Sequence, residues 1–423
     1  MPTLREQLDP RQPLRQMAER MPWATFEEAF AGLYSGEGRP AKPVRLMVSL
    51  LLLKQMFNLG DETVVAQWVQ NPYWQFLSGF EDFQWKLPCD PSDLVYFRQR
   101  IGEEGAQLIL AVSAQMHGSA VREETVVVDT TIQEKDITHP VDSKLHVRII
   151  EHCRRLAQKE GIPLRRSYRR TLKSLRWQLR GGTSKKAIKR ARRAQRSIKS
   201  IAGRLVRELE RKLPEGRHAE KLALYHRVLT QQRGDKDKIY SLHEPHVKCF
   251  GKGKAHKKYE FGNKVALIVG AKSGVITAAE SFEENLYDAR TLPAVLEQAE
   301  ANTGVRPVTV LADRGFRCPR QIGGTEIIMP QAEPWPAGKA ERKRRHHQNS
   351  RRVSIEPRIG HLKTDFRLGR NFLRGVLGDS LNLLLACAAS NLRKWMRLFS
   401  LFVAFLLRQL RALLLPTPTP NAA

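Results

Sequence analysis

Acidic residues are scarce in this chain, and over one long stretch they are missing. Asp and Glu number 43 against 72 Lys and Arg, and between Gly161 and Arg207 there are 17 basic residues and no acid. The formal charge of +29 repels itself unless a counter-charge is near, so a polyanion is the expected partner and nucleic acid the first candidate. A merely soluble basic protein, or one resting on anionic lipid, is the competing explanation. Cysteine is also sparse: Cys89, Cys153, Cys249, Cys318 and Cys387 lie far apart, with no CxxC pair and no zinc-ligand spacing. Reduced thiols in a cytosolic protein are therefore expected. The longest apolar run, Leu398 to Leu407, is interrupted by Ser400 and is about half of what a membrane span needs. The N-terminus, MPTLREQLDP, carries charge where a signal peptide would be apolar. No membrane partner and a cytoplasmic, nucleoid-associated location follow as expectations. There is no GxxxxGK, HExxH or GxSxG motif, which disfavours ATP-driven and serine-hydrolase chemistry, and no coiled-coil heptad marks a dimer seam.

What is present suffices for a substantial core and two or three domains, with 41% hydrophobic residues in 423. PVRLMVSLLLLKQMFNL is continuously helix-forming, Asp61 is placed as an N-cap for the next helix, and another helix-prone stretch starts near Pro91 and Ser92. Residues 1–120 thus read as an all-helical domain with Trp68, Tyr73, Trp74 and Phe76 in its core. TVVVDTT then breaks the pattern as a short buried strand with Asp129 expected at its carboxyl end. Residues 145–232 are helical again, with Ile188, Ala191, Ala194, Ile198, Ile201, Leu205 and Leu209 recurring at three- and four-residue steps. The opposite face of that stripe is basic and is expected to meet phosphates, the alternative being a solvated helical hairpin. Strand character returns at KIYSLHEPHVKCFG, YEFGNKVALIVGAK and GVITAAESF. A helix ending at Gly304 and a buried strand finishing in Asp313 follow, implying an α/β core. From Val353 to about Leu413 the chain is helix-prone, and PTPTPNAA reads as a disordered tail.

Two strands closed by an aspartate draw attention, because the carboxyl ends of strands in an α/β sheet line the ligand crevice. A carboxylate there must be paired, metal-bound or protonated. Arg352, Glu356 and Lys363, at steps of four and seven, share one helix face. There an acid between two bases can ligate a cation while the bases grip phosphates, although an ordinary salt-bridged face has the same pattern. Oxygen ligands alone suit magnesium or manganese, and two such ions serve phosphoryl transfer.

VVVDTTIQEKDITHPVDSKL, LADRGF and the Arg352, Glu356, Lys363 block resemble the DDE transposases of bacterial insertion sequences, and most closely the insertion sequence 5 group. The resemblance spans roughly Pro40 to Leu392, with Asn349 standing where the family's block has a tyrosine. It implies an RNase H-like catalytic core, a mixed sheet flanked by helices, over 121–144 and 233–395. A helical N-terminal DNA-binding domain over 1–120, a basic helical insertion over 145–232, and a C-terminal helix and tail over 396–423 would complete the chain. It further implies that Asp129, Asp313 and Glu356 are catalytic and hold Mg2+ or Mn2+, two ions in all. The reaction implied is cleavage at terminal inverted repeats and strand transfer to target DNA by a homodimer on paired ends of double-stranded DNA. Arg352, Lys363 and Arg314 are expected DNA contacts beside the carboxylates. Lys252, Lys254, Lys257, Lys258 and Lys264, in KGKAHKKYEFGNKV, either steer the phosphate backbone or face solvent on a hairpin. Two other readings share the same residues: a nuclease or junction resolvase without strand transfer, and an inactive transposase-derived DNA-binding protein.

Overall fold

The computed structural model describes residues 2–34, 41–180, 182–251, 257–329 and 338–414, with side chains up to Phe405. Lys252, Lys254 and the tail PTPTPNAA lie outside the described residues. The chain divides into two compact units, one of Met1–Glu134 with Lys264–Ala423 and one of Lys135–Asn263.

The first unit opens with helices α1 (Leu4–Gln7), α2 (Pro13–Arg20), α3 (Trp23–Ala31), α4 (Val44–Met56), α5 (Asp61–Trp68), α6 (Pro72–Leu77) and α7 (Pro91–Gln115). α4 is apolar on nearly every side and is buried from Leu46 to Met56, as a helix at the centre of a bundle must be. Trp68 and Trp74 are buried beside it, and the Trp68 indole N–H donates to Ser78 Oγ at 2.9 Å. α7 starts at a capping box: Asp90 accepts from the Ser92 amide, and Asp93 accepts from the Asp90 amide. Asp61 differs from expectation. Gly60 is the N-cap and Asp61 the first helical residue, its carboxylate held by Arg98 at 2.9 and 2.7 Å and by Lys54 at 2.7 Å.

The sheet that follows comprises β1 (Thr125–Glu134), β2 (Lys248–Gly251), β3 (Tyr259–Gly270), β4 (Ile276–Phe282), β5 (Thr309–Leu311), β6 (Gln321–Ile322) and β7 (Thr325–Ile328). Between β1 and β2 run α8 (Asp142–Lys159), α9 (Arg169–Leu179), α10 (Lys185–Lys212) and α11 (Ala219–Thr230). Later come α12 (Asp288–Thr303), α13 (Lys339–Val353), α14 (Ile355–Asp365) and α15 (Gly375–Leu414). The strands of the first unit are ordered β4-β3-β1-β5-β7-β6. β3 and β4 are antiparallel, whereas β1, β5 and β7 run parallel, so the fold is a mixed α/β sheet with helices. Alternate residues of β1 and β5 divide between two faces, as the pleat requires. Val126, Val128 and Val310 pack with Leu292, Val295 and Leu296 of α12. Val127 and Leu311 join the cluster of Ile355, Ile359 and Leu362 from α14 and the buried stretch of α15. That stretch lies within Gly375–Phe405, which is long and apolar enough to cross a membrane by composition, but most of it is buried among the other helices.

The second unit has its own core of α8 to α11 residues, with Ala194, Ile198, Ile201, Leu205 and Leu209 of α10 buried on one stripe. Ile188, expected on that stripe, is exposed near the start of the helix. KIYSLHEPHVKCFG contributes a strand only at Lys248–Gly251. Pro245 has no amide proton for a ladder, and the preceding Glu244 is buried against Lys135 at 3.3 Å.

Candidate active site

β1 continues to Glu134, so Asp129 is the fifth of its ten residues and not its last. The neighbouring strand is the one that stops. β1 and β5 pair in register from Thr125↔Thr309 to Val127↔Leu311. Two residues further on stand Asp129 and Asp313, which are therefore level with one another at the point where the β1/β5 ladder opens. Period-two alternation gives Asp129 the face of Val127 and Asp313 the face of Leu311. This is the face packed by α14, where Glu356 occupies the first turn. Three segments far apart in sequence thus deliver their carboxylates to one edge of one layer.

Charge reflects the proximity of Asp129 and Asp313. Burial, and then the neighbouring Asp313, push the Asp129 carboxyl up to about 6, while its hydrogen bond from the Thr130 amide at 2.7 Å and the Arg352 guanidinium oppose the rise. Asp288 adds further negative charge. Asp313 is exposed at the start of a 3-10 turn and accepts from the Arg314 amide at 2.7 Å. Arg352, at the end of α13, reaches both remaining acids: it lies 3.7 Å from Asp313 and 3.8 Å from Glu356. Among the described residues no three acidic, histidine or cysteine side chains converge as a ready-made cation site. The carboxylates are arrayed about the Arg352 guanidinium instead. An all-oxygen set in which one carboxyl is held at about 6 by burial and a second acid fits a hard divalent cation, which would relieve that repulsion.

Asp288 was not among the expected site residues. It is the first residue of α12, and its Oδ1 accepts from Thr130 Oγ1 at 2.8 Å and from Lys264 Nζ at 2.9 Å. Thr130 points to the opposite face of β1 from Asp129, so this bond ties the back of the strand to α12 directly behind the site. An acid at a helix N-terminus was the available signal, but caps are common and only the strand register gives this one a place. Lys264 departs from its expected role as a DNA contact. It is mostly buried and committed to Asp288 and the Leu286 carbonyl, at 2.9 and 2.6 Å.

The other expected DNA contacts are placed as follows. Arg314 is exposed beside Asp313, and Lys363 lies in the last turn of α14. Lys257 and Lys258 are exposed in the second unit, just before β3. Asn349 lines a cleft of about 590 Å³ between α13 and the β5 and β7 edge, with Arg320, Arg344, Arg345, Arg351 and Arg352 among its walls. α13 itself buries no residue, which is why its sequence carried no helical stripe.

Residues 2–100 match a family described as "Transposase domain (DUF772)", and residues 230–392 match one described as "Transposase DDE domain". Uncharacterized protein ORF8 in the nfe locus of Rhizobium meliloti is 47% identical over 171 residues, which are 39% of this chain and 83% of that protein. Both matches are to transposase domains, and together they support a DDE transposase. Transposases of this kind act on DNA and generally use divalent metals, which agrees with the oxygen donors and the basic surface found here. No solved structure matches the transposase chain.

Proposed function

We propose that this transposase cleaves DNA at the terminal inverted repeats of an insertion sequence and joins the freed 3′ ends to target DNA, using Asp129, Asp313 and Glu356. The observation that carries the reading is the register of β1 and β5, which sets Asp129 and Asp313 side by side facing the helix of Glu356. The strand order, an antiparallel pair beside parallel β1, β5 and β7, supports an RNase H-like core. Insertion sequence 5 is the group to which the motifs around these residues are most similar.

The three carboxylates would hold magnesium or manganese, two ions together, which supply positive charge to activate the attacking oxygen and stabilise the departing one. The chain's own residues do the rest. Asp129, with its carboxyl at about 6, is mostly ionised at neutral pH and available as a ligand. Arg352 is a guanidinium poised between Asp313 and Glu356, and it turns to a scissile phosphate once those acids are otherwise neutralised. The Asp288, Thr130 and Lys264 contacts hold β1 against α12, so that Asp129 keeps its height in the cleft. The helical N-terminal region would recognise the ends, and two subunits would pair them in the cytoplasm.

The deciding experiment uses a labelled duplex ending in the element's own repeat, with magnesium or manganese, comparing wild type with Glu356→Ala. Nicking at the repeat boundary followed by joining, in the wild type alone, is the expected result. Nicking without joining would make the protein a nuclease. Binding by both proteins with no cut under either metal would make it a DNA-binding derivative.

A further inference from the structure

Arg358 follows Glu356 by two residues on α14, and at about 100° per residue it emerges on the opposite side of the helix. Its guanidinium lies against Gly274 in the β3–β4 turn, where a Cβ would come within 2.7 Å of Nη2. Gly274 has a φ of +62°, so both the turn and the arginine require the missing side chain. The strand after this turn is tied to α15, the Ile276 amide donating to Asn391 Oδ1 at 2.9 Å, and Lys394 and Arg397 follow at three-residue steps along α15. Burial, then Arg397, lowers the affinity of Arg358 for its proton; burial, then Arg358 and Arg397, does the same to Lys394. Glu123, the acid that favours the charge of Lys394, is engaged elsewhere, accepting from the amides of Lys272 and Ser273 at 2.8 and 2.6 Å. His117, beside them, donates Nε2–H to the Asn391 carbonyl at 3.0 Å and has its pKa lowered by burial, so it adds a dipole and no balancing charge. None of the three cations has a carboxylate partner among the described residues.

Arg358 and Lys394, half-buried beside the exposed Arg397 and without an acid, are costly in the free protein, and such a cost is relieved by an anion that enters between them. We propose that Arg358, Lys394 and Arg397 form a second phosphate-binding site, one that grips the backbone of duplex DNA on the side of α14 turned away from Glu356. The inference rests on the DNA-processing role proposed above. A duplex held here is separate from the strand at the carboxylates, and α14 joins the two positions rigidly.

The test is the salt dependence of binding to a duplex of arbitrary sequence, for the full-length wild type, Lys394→Met, Arg397→Gln and the double variant. Each lost phosphate contact is expected to reduce the slope of log affinity against log salt by about 0.9 and to weaken binding several-fold at moderate salt. The melting temperature of the free Lys394→Met protein should hold or rise, because repulsion is removed; a merely structural lysine would lower it. Lys236→Ala, which removes an exposed charge elsewhere, should leave the slope unchanged. Equal slopes for wild type and the double variant overturn this site alone, and so does an equal loss with Lys236→Ala. Stabilisation by millimolar inorganic phosphate that vanishes in Lys394→Met while duplex slopes match would assign the site to a free anion and overturn the DNA assignment. Failure of the wild type to bind any duplex overturns the inference together with the function it rests on.

Discussion

Asp129 has a carboxyl held at about 6 by burial and by Asp313, well above the ordinary value of 3.8. A group whose folded pKa is raised favours the folded state when protonated, and that advantage is lost as pH rises through the folded value. Asp129→Asn should therefore raise the melting temperature of the metal-free protein at pH 8, with the gain shrinking as pH falls through about 6 towards 4. Thermal unfolding across that range measures it, and a gain independent of pH would show that the carboxylate is not the source. With Asp129 as the proposed ligand, the same titration would govern metal: Mn2+ would have to displace a proton below pH 6, so its apparent affinity, read by calorimetry, should fall about tenfold per pH unit there and level off above 7. Asp288 is tested separately. Asp288→Asn keeps the hydrogen-bonding shape but removes the partner of Lys264, and should weaken Mn2+ binding while leaving duplex binding intact. If duplex affinity falls and Mn2+ affinity does not, Asp288 serves the basic surface and not the carboxylates.

At the scale of elements, the N-terminal helices were legible because α4 is a long continuous run of helix formers and α7 opens on a capping residue, and the structure keeps both. Short pieces were not. β6 has two residues, too few for alternation to register, and it exists because β7 supplies its ladder. α13 is helical without an apolar face, so periodicity had nothing to report. Asp129 and Asp313 were found through their strands, but their equal height depends on register, a pairing between segments 184 positions apart that no local pattern records. Asp61 makes the same point: read as a cap, it proves to be the shared acid of two buried cations. Burial would raise its pKa, yet the Arg98 hydrogen bonds and Lys54 hold it down at about 2, while burial and then Arg98 bring Lys54 down to about 8. Asp61→Asn leaves Arg98 and Lys54 buried without compensation and should cost about 3–5 kcal/mol by urea unfolding at pH 7. Because the folded pKa of Asp61 is depressed, its contribution is present above about 4 and lost as pH falls towards 2, so wild type and variant should converge in acid.

For the whole molecule, the surplus of +29 is not spread evenly. The second unit buries the apolar stripe of α10 in its own core and turns Arg192, Arg193, Arg196 and Lys199 outward, with no carboxylate partner among the described residues. Arg190, by contrast, lies 5.2 Å from the Trp177 ring and is anchored locally. Charge that serves only solubility can be inverted without consequence for DNA, whereas charge that meets phosphates cannot. Replacing Arg192, Arg193 and Arg196 together by Glu should leave the melting temperature nearly unchanged, since the exposed face contributes little packing. Duplex binding should weaken by at least tenfold at moderate salt, with a shallower salt slope, while Arg190→Glu should disturb the fold more than it disturbs binding. Equal duplex affinity and slope in the triple variant would reduce this face to a solvated hairpin and leave DNA binding to the first unit alone.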